Sequence, residues 1–169
     1  MIRILGLDPG LAETGYGIIE VRDGCCRHVD HGAVSTSPSM SIGERLEKIQ
    51  REILDVIRTF KPAQAGVESL FFAKNVTSAI PVAQARGVLL LTLSQEGVPS
   101  WEFSPPEIKL ALTGNGRADK HQVQELVRIL IGLSEVPRPD HAADALAAAI
   151  CCFHHRFAEV RLTRGMDVQ

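Results

Sequence analysis

Three separate stretches of the sequence place acidic or imidazole side chains where they could bind a metal ion. Asp8 ends the apolar run ILGL and is followed at once by Pro9-Gly10, so a turn holds its carboxylate at the end of a strand. Glu68 ends the apolar run AGV, where a solvated carboxylate would be unusual on a buried strand. His141 and Asp144 are three residues apart in DHAADALAAAI, which places both on one face of a helix. Oxygen ligands of this kind suit ions such as Mg²⁺.

The chemistry that such a site would perform is hydrolysis of a phosphodiester. Two ions held about 3.5–4 Å apart activate a water molecule and stabilise the leaving oxygen. Each residue also has a simpler interpretation: Asp8 as a turn residue, His141 as an ordinary surface histidine, and Asp140 as a helix N-cap, the role that we favour for Asp140. Taken singly, none of these signals is specific.

The elements around these residues predict an α/β fold. Strands are predicted at 2–8, 16–22 and 26–35, joined by short turns as an antiparallel meander. A capping box of Ser41 with Glu44 begins a helix, and a strand at 65–69 follows it. A helix from about Thr77 to Glu96, with Pro81 near its first turn, a strand at 98–103 and three further helices complete the order βββαβαβααα. We therefore expect a mixed five-stranded sheet flanked by helices.

This order also brings the two strand-end carboxylates together. If the helix after the meander is a crossover, the fourth strand lies parallel beside the first. Asp8 and Glu68 then emerge side by side at one edge of the sheet, where they repel each other unless a cation lies between them.

Length and composition bound the class of protein. The 169 residues suit one domain, which we place at 1–158, with a flexible tail at 159–169. No transmembrane or secretory segment is recognisable, and the four cysteines lack metal-site spacing, so we expect reduced thiols and a cytoplasmic protein. The net charge of −2 argues weakly against a nucleic-acid partner. However, basic residues gather between positions 74 and 138: Lys74, Arg86, Lys109, Arg117, Lys120, Arg128 and Arg138.

Five motifs in order resemble the RuvC family of Holliday junction resolvases. They are G-L-D-P-G (6–10), T-G-Y-G (14–17), V-E-S-L-F-F-A-K-N (67–75), Q-A-R-G (84–87) and H-A-A-D-A-L-A (141–147), and the match runs over about residues 3–150. The resemblance implies a ribonuclease H-like fold and a homodimer in which each subunit nicks one strand of a four-way DNA junction. It also implies a role in homologous recombination and DNA repair, beside the RuvA and RuvB branch-migration proteins.

The resemblance further assigns roles to single residues. Asp8, Glu68, His141 and Asp144 would hold the metal, Mg²⁺ in two copies per site. Many family members carry Asp at the position of His141, and imidazole there softens the ligand set, so we expect Mn²⁺ to support cleavage at least as well as Mg²⁺. Lys109 and Lys120 match basic positions near the scissile phosphate, where a cation stabilises developing charge.

DNA contacts are also implied by the resemblance. Phe71 would contact the junction and unstack bases, whereas Phe72 is as well explained by packing in the core. The resemblance implies that a further set of residues contacts the DNA backbone and positions the DNA without reading its sequence. They are Lys74, Asn75, Arg86 and Arg117, together with Lys109 and Lys120.

Three alternatives differ in class from the resolvase. A different nuclease or strand-transfer enzyme on the same fold is the first, because a fold does not determine a substrate. A non-catalytic junction-binding module is the second. Such a module would lack one of the acidic site residues, but Asp8, Glu68 and Asp144 are all present. A sugar-kinase-like ATPase is the third, but it needs a second similar domain for which the chain has no room.

Overall fold

A mixed five-stranded sheet forms the centre of the protein. The computed structural model describes residues 1–69 and 76–166, with side chains described for residues 1–69 and 79–155. The strands lie in the order β3-β2-β1-β4-β5 and comprise β1 (Ile2–Asp8), β2 (Glu13–Arg22), β3 (Cys25–Ser35), β4 (Gln64–Glu68) and β5 (Ser100–Phe103). The first three pair antiparallel, whereas β4 is parallel to both β1 and β5. The predicted mixed sheet and its element order are confirmed.

Within residues 1–69 and 76–166, five helices connect or follow the strands: α1 (Ile42–Phe60), α2 (Val76–Gln95), α3 (Pro105–Thr113), α4 (Lys120–Ile131) and α5 (Asp140–Met166). Ser41 and Glu44 form the predicted capping box, and the Asp119 side chain caps α4. Pro81 is the sixth residue of α2, one position further into the helix than the predicted start at about Thr77 implies. Two other expectations, the tail and the Asp140 cap, differ from the structure at α5.

Helix α5 departs from the sequence-based expectation at both ends. Asp140 was predicted to be the N-cap, but it is the first helical residue, and the carbonyl of Pro139 accepts the first helical hydrogen bonds. The capping prediction is therefore wrong. At the other end the helix continues to Met166, into the segment 159–169 where we expected a tail. The sequence explains this, because neither Gly nor Pro interrupts residues 141–164.

The sheet separates two apolar cores. On one face, α1 and α2 cover Leu5, Leu7 and Val67. On the other, α3, α4 and α5 cover Ile4, Ile19 and Phe103. Because side chains alternate along a strand, neighbouring residues of β1 and β4 enter opposite cores. The face covered by α5 is the one that carries the candidate site.

The remaining predictions on class concern cysteines and membrane segments. All four cysteines are free, as expected; Cys151 and Cys152 are buried on α5, and Cys25 is exposed at the start of β3. In the part of the chain that the structure describes, no helix is long and apolar enough to cross a membrane.

Candidate metal-dependent active site

Helix α5 lies unusually close to the sheet because small residues meet on both sides of the contact. Gly6, Gly15 and Gly66 face an alanine-rich helix, and a Cβ atom at Gly6 would overlap the carbonyl oxygen of Ala145. A Cβ atom at Gly15 would likewise overlap the carbonyl oxygen of His141. The first turn of α5 is therefore held directly against the ends of β1 and β2.

The two strand-end carboxylates lie beside each other beneath that turn. Asp8 ends β1 and Glu68 ends β4, and the parallel register pairs Leu7 with Val67 immediately before them. Leu7 and Val67 enter the core under α1 and α2, so by alternation both carboxylates lie on the side of α5. The predicted juxtaposition of Asp8 and Glu68 is thus present in the fold.

Side chains from the first turns of α5 complete a cluster with Asp8. Ligand atoms of Asp8, His141 and Asp144 all lie within 4.8 Å of one another. His141 Nδ1 is 2.6 Å from Asp8 Oδ2, and His141 Nε2 is 3.8 Å from Glu13 Oε2. Glu13, at the start of β2, was missed by the sequence analysis. The one feature of the sequence that could have indicated Glu13 is its position just after the turn that follows Asp8.

The carboxylates of this cluster repel one another, and this repulsion shifts their pKa values. Burial, followed by the charges of Asp8 and Asp144, raises the pKa of Glu68 to about 8. Burial also raises the pKa of Asp144, with Asp8 adding to the effect and Lys120 opposing it. The hydrogen bond with Asp8 raises the pKa of His141. A divalent cation among these groups would offset their repulsion, and three carboxylates with one imidazole are a suitable donor set for it.

A cleft of about 200 Å³ opens beside the cluster, and both lysines predicted to lie near the phosphate line it. Its walls include Glu68, Asp144, Lys109 and Lys120. Lys120 Nζ is 3.2 Å from carboxylate oxygens of both Asp140 and Asp144. Burial alone would lower the pKa of Lys120, but attraction to these carboxylates outweighs it and raises the pKa. The cleft therefore presents fixed positive charge next to the acidic cluster.

Other predicted residues lie elsewhere. Arg86 Nε donates to Glu102 Oε2 at 2.6 Å, on the opposite face of the sheet from α5. Arg117 is exposed in the loop between α3 and α4. Asp140 pairs with Arg138 as well as Lys120 and is not in the metal cluster. The predicted DNA contacts Phe71, Phe72, Lys74 and Asn75 lie outside the residues whose side chains are described.

Strand-end carboxylates under a helix that carries further ligands are typical of divalent-metal-dependent nucleases of the ribonuclease H-like fold class. The family model described as "Crossover junction endodeoxyribonuclease RuvC" matches residues 4–152. The chain belongs to the RuvC family of endodeoxyribonucleases.

Relatives with this family name cover nearly the whole chain. The chain is 52% identical over 147 residues to the protein of Treponema denticola, covering 87% of this chain and 83% of the relative. It is 48% identical over 162 residues to the protein of a Roseiflexus species, covering 96% and 95%.

Solved structures agree with the fold. The chain is similar to Thermus thermophilus RuvC in complex with Holliday junction substrate, with a TM-score of 0.88, 36% identity, and coverage of 94% of this chain and 97% of that one. The yeast mitochondrial Holliday junction resolvase Ydc2 matches with a TM-score of 0.68 at 13% identity, covering 96% of this chain and 82% of that one, which shows a shared fold alone.

Proposed function

We propose that this protein resolves four-way DNA junctions by paired symmetric nicks in homologous recombination and repair. One observation carries the proposal: Asp8, His141 and Asp144 converge beside Glu68 at the mouth of a cleft that Lys109 and Lys120 line. An enzyme that cleaves a phosphodiester needs this combination, because a metal-binding carboxylate group must meet a phosphate that cations hold in place. The four-way junction as the substrate is supported by the family match.

In this mechanism the protein side chains divide into two groups. Asp8, Glu68, His141 and Asp144 hold the cation, which would supply water activation and stabilisation of the leaving oxygen when bound. Lys109 and Lys120, which line the same cleft as Glu68 and Asp144, attract the scissile phosphate and stabilise the charge that develops on it. Lys120 is already held by Asp140 and Asp144, so its ammonium group is positioned before DNA arrives.

The proposed cofactor is Mg²⁺, with Mn²⁺ at least as effective and two ions per site. His141 is the residue that favours Mn²⁺, because its ring belongs to the same cluster as two carboxylates. Mn²⁺ is a transition-metal ion that accepts an imidazole nitrogen more readily than the harder ion Mg²⁺, which prefers oxygen. Side-by-side cleavage rates in the two ions test this point, and a clear preference for Mg²⁺ would contradict it.

A homodimer is the proposed assembly, formed through the outer face of α2. Ile80 and Leu91 on that helix are 55% and 53% exposed, and Gln84 and Gly87 lie exposed between them at helical spacing. Arg86, the one charged residue in the sequence of α2, is turned to Glu102. This face is therefore uncharged, with two exposed large apolar side chains, and a two-fold pair would present two sites to a two-fold junction.

Contacts to the DNA beyond the cleft rest on the motifs alone. We propose that Phe71 unstacks bases at the junction, with Phe72 beside it, and that Lys74 and Asn75 contact the strand there. Arg117, which is exposed in the loop between α3 and α4, would bind the DNA backbone. Arg86 would have to leave Glu102 to do so. Cytoplasmic location and cooperation with RuvA and RuvB are parts of the same proposal.

The test is nicking of a synthetic four-way junction beside a matched linear duplex and a matched RNA, each with Mg²⁺, Mn²⁺ or chelator. Asp8→Asn is compared with Asp55→Asn, an exposed acidic residue of α1 on the other side of the sheet. We expect metal-dependent symmetric nicks on the junction alone, lost in Asp8→Asn with junction binding retained and unchanged in Asp55→Asn. Binding without cutting would indicate a junction-binding module, and cutting of RNA or linear duplex would indicate another nuclease.

A further inference from the structure

The turn between β1 and β2 carries an acidic residue at each end, and both face the same imidazole ring. Asp8 precedes the turn and lies against His141 Nδ1 at 2.6 Å. Glu13 follows the turn and lies 3.8 Å from the other ring nitrogen, Nε2. The two nitrogens of His141 therefore point to two different carboxylates.

This turn is braced so that Glu13 has a defined position. Thr14 Oγ1 donates to the carbonyl of Gly10 at 2.6 Å, and Thr36 Oγ1 donates to the carbonyl of Leu11 at 2.6 Å. The backbone N–H of Thr36 also donates to the carbonyl of Ala12 at 2.9 Å. Three successive carbonyls of the turn thus have partners, and Arg45 holds the Thr36 hydroxyl in turn at 2.7 Å.

The position of the ring is set from the opposite side. The backbone of His141 lies on Gly15, two residues beyond Glu13, with no room for a Cβ atom between them. The His141 side chain is 43% exposed and the Glu13 side chain is 34% exposed, so packing alone does not fix the orientation of either side chain. Orientation of the ring must then come from its hydrogen-bonding partners.

A histidine that binds a metal through one nitrogen carries its proton on the other, which needs an acceptor. The nitrogen of His141 that faces Asp8 is Nδ1, and Asp144 completes the same cluster. If Nδ1 provides the lone pair, Nε2 provides the N–H group. Among the described residues, Glu13 is the carboxylate that faces Nε2, and their separation of 3.8 Å must close by roughly 0.8 Å to give a hydrogen bond.

We propose that Glu13 is a positioning residue that accepts a hydrogen bond from His141 Nε2–H and thereby presents Nδ1 to the metal. The inference rests on the proposed function, since it takes His141 as a metal ligand. Glu13 acts through the ring and does not itself touch the metal or the DNA. Carboxylate partners of this kind change metal affinity by about 10–100-fold.

The test measures Mn²⁺ affinity of the DNA-free protein by electron paramagnetic resonance in four variants and the wild type. The four variants are Glu13→Ala, Glu13→Gln, His141→Asp and the double variant Glu13→Ala/His141→Asp. Glu13→Ala should weaken Mn²⁺ binding about 10-fold, whereas Glu13→Gln should stay within about threefold because its amide oxygen still accepts from Nε2–H. In the His141→Asp background, Glu13→Ala should weaken Mn²⁺ binding by about threefold at most, because no N–H remains for Glu13 to accept from and only its longer-range attraction to the cation is lost.

A spectroscopic readout separates positioning from general stability. Long-range ¹H–¹⁵N correlations of His141 with Mg²⁺ should show the Nε2–H tautomer in the wild type and Glu13→Gln, and a mixture of tautomers in Glu13→Ala. Loss of Mn²⁺ affinity of equal size in both His141 backgrounds would overturn the proposal and make Glu13 a direct ligand. Wild-type affinity and tautomer in Glu13→Ala would overturn it as well.

Failure of the proposed function gives a different result. His141→Ala and Asp8→Asn should each weaken Mn²⁺ binding if the metal site is as proposed. If both leave Mn²⁺ affinity unchanged, the site itself is wrong and the role of Glu13 falls with it. If both weaken it while Glu13→Ala does not, only the positioning role fails.

Discussion

His141 Nδ1 and Asp8 Oδ2 lie 2.6 Å apart although 133 positions separate the two residues in the chain. The contact depends on the close approach of α5 to β1 and β2, where Gly6 and Gly15 leave room for helix backbone. Packing between glycine and alanine thus determines whether the ligands of the candidate site meet. Predictions for stability and for metal binding both follow from this arrangement.

Gly15→Ala should displace the first turn of α5 and weaken metal binding. The added Cβ atom would overlap the carbonyl oxygen of His141, so the helix must shift at a cost of about 1–3 kcal/mol. Urea unfolding and Mn²⁺ titration should both register the change, with affinity falling about 10-fold or more. Gly43→Ala in α1 is the matched control, since nothing lies within 4 Å of its Cβ position. Equal behaviour of the two variants would contradict the packing argument.

Metal affinity should rise with pH up to about 8. Glu68 retains its proton below that pH in the metal-free protein, because burial and the charges of Asp8 and Asp144 raise its pKa to about 8. A cation must displace this proton, so binding weakens as pH falls. Calorimetry in buffers of different ionisation enthalpy should show proton release on Mn²⁺ binding. Glu68→Gln should release fewer protons, and a pH-independent affinity in the wild type would refute the prediction.

Glu68→Gln should stabilise the metal-free protein at alkaline pH. The folded-state pKa of Glu68 lies above its ordinary value of 4.5, so its contribution to stability is present below pH 4.5 and is lost as pH rises to about 8. The amide side chain in Glu68→Gln does not ionise, so the variant does not lose stability over this pH range. Thermal denaturation in chelator near pH 8 should show a gain of roughly 2 kcal/mol, or about 4–8 °C. The gain should vanish towards pH 4.5, and a gain that is constant with pH would point to another cause.

Leu91→Glu should dissociate the proposed dimer. Leu91 is 53% exposed on the uncharged face of α2, and a buried unpaired carboxylate at an interface is strongly unfavourable. Sedimentation velocity should show monomer, and junction nicks should lose their symmetry. Ile129→Glu is the control, because Ile129 is 60% exposed on α4 and lies away from this face. A dimeric Leu91→Glu protein would place the interface elsewhere.

Lys120→Ala should reduce cleavage more than junction binding. Its ammonium group lies 3.2 Å from Asp144 in the cleft, where loss of one charge-stabilising group costs about 10²-fold in rate. Binding depends on many phosphate contacts and should change about threefold at most. Single-turnover cleavage and gel-shift titration measure the two effects. Lys48→Ala, which removes a lysine paired with Glu52 on α1, should change neither.

Much of the fold could be predicted because its signals are local. The capping box at Ser41 and Glu44 and the apolar periodicities predicted the element order and the crossover that sets β4 beside β1. That order was sufficient to place Asp8 beside Glu68. The error at Asp140 has a local cause too, because an acidic residue suits both the N-cap and the first turn of a helix.

The sequence by itself determined the element order, the strand-end carboxylates and the family, since periodicity, caps and motifs are properties of neighbouring residues. Tertiary structure alone decided that Glu13 faces His141 and that Arg86 is paired with Glu102. It also decided that Lys120 sits between Asp140 and Asp144. Such pairings join side chains from different elements, and they depend on how closely α5 and α2 approach the sheet. That distance follows from the packing of facing surfaces, which no spacing along the chain encodes.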